Sequence, residues 1–532
     1  MPRFPRLIAP AFLVLLPMFT GLACAQLNVL TYHNDNMRTG QNLTEKILTP
    51  QNVNQSSFGK LFSLSVDGKV DAEPLYVSNL AIAGSGKHNV VFVATEHNSV
   101  YAFNADSGKP YWHVSLSING ETTSDIRKCG QVDPEIGITA TPVIDLKAGP
   151  HGTIYLVAMT KDTTEKYYQR LHALDITTGK EEFGAPIEVK ASYPGTGDNS
   201  DNGHVVFDGK QYKERAALLL LNGIVYTTWT SHCDIRPYNG WVMGYDHLTL
   251  KQTQVFNFAP NGNEASMWSG GAGPAADAQG SLYFSVGNGT FDTTLNAHGF
   301  PEKGDFGNAF VKLSIINGKL AAADYWTMYN TVAESDRDGD LGSGGILLLP
   351  DVKDAKGKIR HLATGAGKDM SVYVVDRDAM GKFNPKDNSN IYQELPDALK
   401  GGEFSIPAYF NGYVYYGGIS DVIRAFKVDA AKLSRTPASV TARKYPYPGA
   451  TPTVSANGSS NGIVWAVENT NPAVLHAYDA NNLAKEFYNS GQAANGRDAF
   501  GAGNKWMSPM VANGKVYVET TNSVAVFGPL KH

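Results

Sequence analysis

Val90-Val91-Phe92-Val93-Ala94 and Ser99-Val100-Tyr101-Ala102-Phe103 are two apolar runs of strand length, and Asp106-Ser107-Gly108-Lys109 with Trp112 closes the unit. Apolar runs rich in β-branched and aromatic residues, separated by short polar turns, predict neighbouring antiparallel strands. The pattern returns at Thr141-Pro142-Val143-Ile144-Asp145, Thr153-Ile154-Tyr155-Leu156-Val157 and Leu171-His172-Ala173-Leu174-Asp175, closed by Thr178-Gly179-Lys180 and Phe183. Later copies centre on Gly223-Ile224-Val225-Tyr226, Leu282-Tyr283-Phe284, Val372-Tyr373-Val374-Val375-Asp376, Gly412-Tyr413-Val414-Tyr415-Tyr416 and Ile463-Val464-Trp465-Ala466. The last runs from Ser508-Pro509-Met510-Val511 through Lys515-Val516-Tyr517-Val518 to Val524-Ala525-Val526-Phe527. That makes eight copies, spaced by roughly 50–70 residues. A unit of three or four short strands cannot bury both of its faces alone, so neighbouring units must stack. Radial stacking gives an all-β fold, an eight-bladed β-propeller of four-stranded antiparallel blades. The alternative is a pair of separate sandwiches. The eighth copy lacks one strand, and Phe58-Gly59-Lys60-Leu61-Phe62-Ser63-Leu64 belongs to no other unit. This N-terminal strand is expected to complete the last blade and close the ring.

Composition agrees. The 532 residues include 54 Gly and 27 Pro, with 18% charged and 42% hydrophobic residues, which excludes coiled coils, collagen-like chains and disorder. A net charge of −5 provides no basic footprint for nucleic acid. Arg3 and Arg6 precede an apolar stretch from Leu7 to Leu22, and Ala23-Cys24-Ala25 supplies small residues for cleavage. Residues 1–25 therefore read as a signal peptide and the protein as exported, periplasmic or extracellular. A membrane anchor, or a lipoprotein built on Cys24, fits less well, because the apolar run is short and Gly21 stands where that lipid signal usually has Leu. No later stretch is long and apolar enough to span a bilayer. Residues 26–57 form an N-terminal extension, and 58–530 a single propeller domain. Cleavage leaves Cys129 and Cys233, either two separate thiols or a disulfide. Cys129 falls in the link before the second blade and Cys233 follows the second strand of the third, on one face, which favours the bridge.

The unit ending Asp-x-x-Thr-Gly-Lys-x-x-Trp, clearest at Asp106 to Trp112 and Asp175 to Phe183, resembles the tryptophan-docking repeat of the pyrroloquinoline quinone (PQQ) propeller superfamily. Leu282-Tyr283-Phe284-Ser285-Val286-Gly287-Asn288 is similar to the strand that, in quinoprotein alcohol dehydrogenases, brings an Asn oxygen to Ca²⁺. The resemblance implies Asn288 as a metal ligand. Lys303-Gly304-Asp305 resembles the segment of the catalytic Asp, which implies Asp305 as base and metal neighbour. Ala366-Gly367-Lys368-Asp369 resembles the segment whose basic residue contacts the quinone, which implies Lys368. Asp234 stands near the place of the family's further acidic metal ligand. The family's pair of adjacent cysteines has no counterpart here, and the Gly-rich stretch Trp268-Ser269-Gly270-Gly271-Ala272-Gly273-Pro274 carries its only Trp at the start.

The residue types suit that chemistry. A hard cation takes oxygen ligands, a carboxylate can accept an alcohol proton, and an ammonium stabilises negative charge on a quinone oxygen. The implied function is a PQQ- and calcium-dependent oxidoreductase acting on an alcohol or sugar. With no Cys-x-x-Cys-His haem motif, it would pass electrons to a separate carrier. A non-catalytic propeller scaffold or binding protein, or a propeller lyase or hydrolase, remains the alternative. Glu96-His97, Lys161, Arg236, Asp421, Glu468 and Glu519 also fall between second and third strands, as a ring at the channel mouth or as ordinary polar turns. Asp336-Arg337-Asp338-Gly339-Asp340 resembles the start of a calcium loop only loosely. Leu341-Gly342-Ser343 leads into Ile346-Leu347-Leu348 with no closing acid, so an EF-hand-type loop is not expected.

Overall fold

The computed structural model describes Pro2 and residues 27–531; the rest of the expected export signal, Cys24 included, lies outside the described residues. Eight sheets of at least four strands follow one another in the order of the eight sequence copies. Their first strands are Leu75–Ile82, Val143–Asp145, Leu219–Leu221, Ala275–Ala276, Ile346–Leu348, Ala408–Phe410, Thr453–Asn457 and Met510–Ala512. The core strands within each sheet pair antiparallel, as in Gly86–Ala94 with Ser99–Asn104. The apolar residues sort into clusters that pack each sheet on the next. One joins Trp229, Trp241 and Tyr245 of the third sheet to Tyr155 and Leu171 of the second. Another joins Tyr76, Val91 and Phe103 of the first sheet to Met510, Tyr517 and Val526 of the eighth. The architecture is an all-β propeller. Phe58–Ser65 pairs antiparallel with Ser523–Pro529, Leu64 opposite Val524 and Lys60 opposite Phe527, as expected for the orphan strand. Two smaller units are added: a three-stranded sheet within 192–206, and a hairpin of Val352–Lys353 with Ile359–Arg360. Among the described residues no helix is long and apolar enough to cross a membrane.

The stretch from Asn28 to Asn42 has a role that its sequence does not advertise. Asn28–Val29 adds a strand to the first sheet and Gln41–Asn42 to the seventh. Between them the chain passes along the first strands of the others. Ile144 N donates to Leu30 O, Ala276 N to Asn36 O, Leu348 N to Met37 O, Tyr409 N to Thr39 O and Val454 N to Gly40 O. Side chains complete the set, Asn36 Nδ2 donating to Leu220 O and Asn42 Nδ2 to Val511 O, both at 2.9 Å. One short segment thus bonds the first strand of all eight sheets in their order around the axis. Edge strands facing the axis carry backbone groups that require partners, and the segment supplies them.

Arg38 anchors the turn. It is fully buried, and its guanidinium donates to Pro274 O at 3.0 Å, Thr31 Oγ1 at 2.7 Å, Tyr32 O at 2.9 Å and Leu218 O at 3.2 Å. Replacing it by Ala leaves these buried acceptors without a donor, which costs about 3 kcal/mol. Urea unfolding of Arg38→Ala should show that loss; a change under about 0.5 kcal/mol would mean that the segment is an appendage rather than part of the core.

Candidate functional site

Two sets of charged side chains lie next to one another, one around Lys368 and one around Trp506. Lys368 Nζ lies 2.6 Å from Asp338 Oδ1 and 2.8 Å from Asp340 Oδ2. Asn288 joins the same pair, its backbone N donating to Asp340 Oδ1 and its Nδ2 to Asp338 Oδ1 at 3.2 Å. That fixes the amide's orientation and leaves Asn288 Oδ1 buried with no hydrogen-bond partner. The local backbone explains the approach. A Cβ on Gly287 would stand 2.7 Å from Trp268 Cδ1 and 2.9 Å from Asp340 Oδ1, so only glycine admits the acidic loop and the indole together. Burial raises the Asp340 pKa despite Lys368 beside it. Burial opposes the charge on Lys368, but Asp340 and Asp338 outweigh it and hold its pKa above the ordinary lysine value. Asp234 and Glu264 complete the acidic set. Burial raises both pKa values; the field of Lys368 and Asp338 reaches Asp234, and that of Asp234 and Asp340 reaches Glu264. Tyr238 Oη donates to Asp234 Oδ1 at 3.1 Å.

The neighbouring space is rich in basic side chains, with the buried carboxylates of Asp71 and Glu96 acting on Lys69 and Lys213 among them. Four cations surround the Trp506 indole: Arg215 at 4.3 Å from the ring centroid, Lys505 at 5.3 Å, Lys213 at 5.7 Å and Lys69 at 5.9 Å. Arg215 also lies 5.4 Å from the Trp268 ring, which bridges the two regions. Burial lowers the Lys213 pKa to about 8. For Lys505, burial and then repulsion from Arg215, Lys213 and Lys69 lower it to about 6. Arg215 and Lys505 share only the neutral Gln131 Oε1, at 3.4 Å and 3.2 Å. Arg215 Nε, Trp268 Nε1, Trp506 Nε1 and Ser231 Oγ are buried and unpartnered. Buried donors and like charges crowded about an aromatic face are costly by themselves and suit a planar polyanion. A cavity of about 620 Å³, lined by Lys69, Gln131, Tyr447, Asn504 and Lys505, opens beside them.

The expected residues are thus partly assembled. Asn288 and Lys368 share partners, and Asp234 stands beside them. Asp305 is elsewhere. Its Oδ1 accepts from Asn261 N at 2.9 Å, its backbone O accepts from Asp292 N, and its charged surroundings are Asp292 and Lys303. The Gly-Asp of residues 304–305 was a weak signal because it suits any tight turn. Asp338 and Asp340, not expected as functional residues, occupy the position between Asn288 and Lys368. Their Asp-Gly-Asp spacing was the available signal, hidden by its likeness to a calcium loop that lacks its closing acid. Lys213, Arg215, Lys505 and Trp506 were also missed, since they come from different copies. Cys129 and Cys233 form a disulfide with Cα atoms 6.3 Å apart, and Cys233 lies beside Trp268, Trp506 and Arg215 around one small enclosed space. Of the ring of loop residues, Glu96 is buried beside Lys213 and Glu519 is buried beside Glu73 and Asp71, whereas Arg236 pairs with Asp198, Asp421 with Arg424 and Glu468 with His476.

Among solved structures the chain is similar to the quinohemoprotein alcohol dehydrogenase of Comamonas testosteroni, with 16% identity, a TM-score of 0.61, and coverage of 94% of this chain and 80% of that one. It is also similar to a quinohemoprotein alcohol dehydrogenase of Pseudomonas putida, at 14% identity, TM-score 0.59 and the same coverage. A europium-containing methanol dehydrogenase matches at 14% identity and TM-score 0.59, over 94% of this chain and 98% of that one. At these identities the likeness shows a shared propeller fold. No family model and no curated protein matches the sequence.

Asp305 offers a pH test. Burial raises its pKa from 3.8 to about 6, so the folded state holds its proton more tightly than the unfolded chain does. The resulting stabilisation is present below pH ~4 and lost as pH rises through ~6. Asp305→Asn removes the burial of an ionised carboxylate. The variant should be more stable than the parent at pH 7–8 and equal to it near pH 3.5, read by denaturant midpoints at each pH. Equal midpoints at every pH would contradict the assignment.

Proposed function

We propose that the chain is an exported quinoprotein-type oxidoreductase, an eight-bladed ring closed by its N-terminal strand, that oxidises an alcohol or sugar with PQQ and a bound metal cation. The observation that carries this reading is the adjacency of two complementary sets on one face: cations about Trp506 and Trp268, and oxygen donors about the unpartnered Asn288 Oδ1. PQQ is a planar aromatic tricarboxylate, and the unpartnered donors with two indoles fit it. The donor set of Asn288, Asp340 and Asp234 is all oxygen and fits a hard cation. When bound, the quinone supplies the two-electron acceptor and the cation a Lewis acid beside it.

The chain's own groups have distinct tasks. Lys213, Arg215 and Lys505 would hold the carboxylates of the quinone. Lys368 stands where negative charge on a quinone oxygen needs a donor. Asp340, with its side chain only 7% exposed, is placed to ligate; Asp338, at 68%, is placed to take the proton from a substrate hydroxyl. The proton acceptor is therefore assigned to Asp338 rather than Asp305. Calcium satisfies this donor set, and the carboxylates Asp234, Glu264, Asp338 and Asp340 also suit a trivalent ion, the europium-containing neighbour being one precedent. A separate carrier would accept the electrons.

Adding PQQ with Ca²⁺ or La³⁺ to the purified protein should shift the quinone absorbance and raise stability by ~2.7 kcal/mol at a hundred times the dissociation constant. Arg215→Ala should weaken quinone binding. Asp338→Asn should retain it while lowering kcat by ~10²–10⁴. No spectral change and no stabilisation at saturating quinone would remove the redox reading and leave a binding scaffold.

A further inference from the structure

A second cavity, of about 480 Å³, opens beside the acidic set. Its wall includes Asn263, Glu264, Thr290, Phe291, Val332 and Asp336. It adjoins the proposed reacting centre through three connections. Glu264 belongs to both. Gly289, which also lines it, follows Asn288 in the chain. Ser335 of the wall accepts from Gly289 N through Oγ at 3.3 Å, and its carbonyl accepts from Asp338 N at 3.2 Å. A substrate whose hydroxyl reaches Asp338 has this cavity close by for the rest of its skeleton, since the Asp338 backbone is bonded to the wall at Ser335. The volume lies within the ~300–1,000 Å³ of ordinary small-molecule sites and far exceeds the needs of a one-carbon alcohol.

The lining defines the chemistry. The carboxylates of Glu264 and Asp336 and the side-chain amide of Asn263 take part in none of the hydrogen bonds or ion pairs among the described residues. The one guanidinium at the wall, Arg236, is engaged by Asp198 through two bonds of 2.8 Å and 2.9 Å, and its field also reaches Glu264, which leaves the carboxylate of Asp336 as the wall's charge remote from a cation. Thr290 Oγ1 accepts from Asn263 N at 3.1 Å, which leaves its hydroxyl proton to donate. Buried Phe291 and half-exposed Val332 provide an apolar side. Such a wall offers acceptors to several hydroxyl donors, carbon surface to their C–H faces, and repulsion to anions.

We infer that this cavity is a substrate subsite for a neutral polyhydroxylated alcohol, an open-chain polyol or a sugar, whose additional hydroxyls donate to Asp336, Glu264 and Asn263, and that it discriminates against hydroxy acids of the same size. The inference rests on the reading of Asn288, Asp338 and Asp340 as the reacting centre.

The test uses the full chain with and without added PQQ and Ca²⁺, titrated with sorbitol, with gluconate as its size-matched anion, and with ethanol. Binding is followed by saturation-transfer NMR and calorimetry, with circular dichroism to verify the fold of each variant. Sorbitol should bind at least ~tenfold more tightly than gluconate and ethanol, and Asn263→Ala and Asp336→Ala should each weaken it by ~5–10-fold. Asp336→Lys should narrow the gap between sorbitol and gluconate. Gluconate binding as tightly as sorbitol, sorbitol binding unmoved by either alanine variant, or no sorbitol binding in either state would overturn the subsite. The two readings fail separately. Sorbitol bound by this wall with no quinone uptake removes the redox reading alone, and quinone uptake without sorbitol binding removes the subsite alone.

Discussion

The rest of the structure depends on the hydrogen bonds between one N-terminal segment and the first strand of every sheet. A ring of sheets leaves its axial strands with unpaired amides and carbonyls, and water in a channel is the usual partner. Here chain backbone does that work from Leu30 to Gly40, with the Asn36 and Asn42 amides filling two gaps and the Arg38 guanidinium collecting four acceptors. Tyr32 packs on the axis against Ala217, Ala272 and Ile406, each contributed from a different part of the ring. The channel becomes a cup. The two charged sets lie next to one another through Trp268, which faces Arg215 on one side and the Gly287–Asp340 contact on the other.

Unlike charges are concentrated at short range here, and only some of them are paired. Lys368 is balanced by Asp338 and Asp340, and Lys69 by Asp71 at 3.3 Å. Lys213 and Lys505 make no ion pair among the described residues, and burial depresses both pKa values. Removing charge from water is repaid only by a partner held nearby. A fold that keeps such groups buried is less stable alone than with an anion bound, which couples ligand occupancy to stability.

The repeat was legible because strands impose a local period and turns a local composition, both visible within a dozen residues. The strand Phe58–Ser65 could be placed because a missing element and a spare one matched. That Asn288 and Lys368 lie close together was readable for a similar reason, each sitting beside a strand with a recognisable motif. Residues 26–57, expected as an N-terminal extension, contribute through their described part strands to the first and seventh sheets; the apolar spacing there is weak because the segment pairs with many partners in turn rather than with one. Trp506 and Arg215 lie far apart in sequence, and no local pattern marks residues whose common property is to face one axis. Asp338 and Asp340 failed for a different reason. Three alternating acids resemble a self-contained calcium loop, yet here they serve groups contributed by two other chain segments.

The backbone at the site carries strain of a kind found little in the sheets. Cys233, Asp234, Glu264 and Asp338 have φ of 59°, 54°, 60° and 62°, in the left-handed region where side chains other than glycine cost about 1 kcal/mol or more. Three of the four carry the acidic side chains of the site, and the fourth is half of the disulfide that joins the link before the second sheet to the third. Such a site is organised before any ligand arrives, and the stability for that organisation comes from the apolar clusters between the sheets and the segment along the axis.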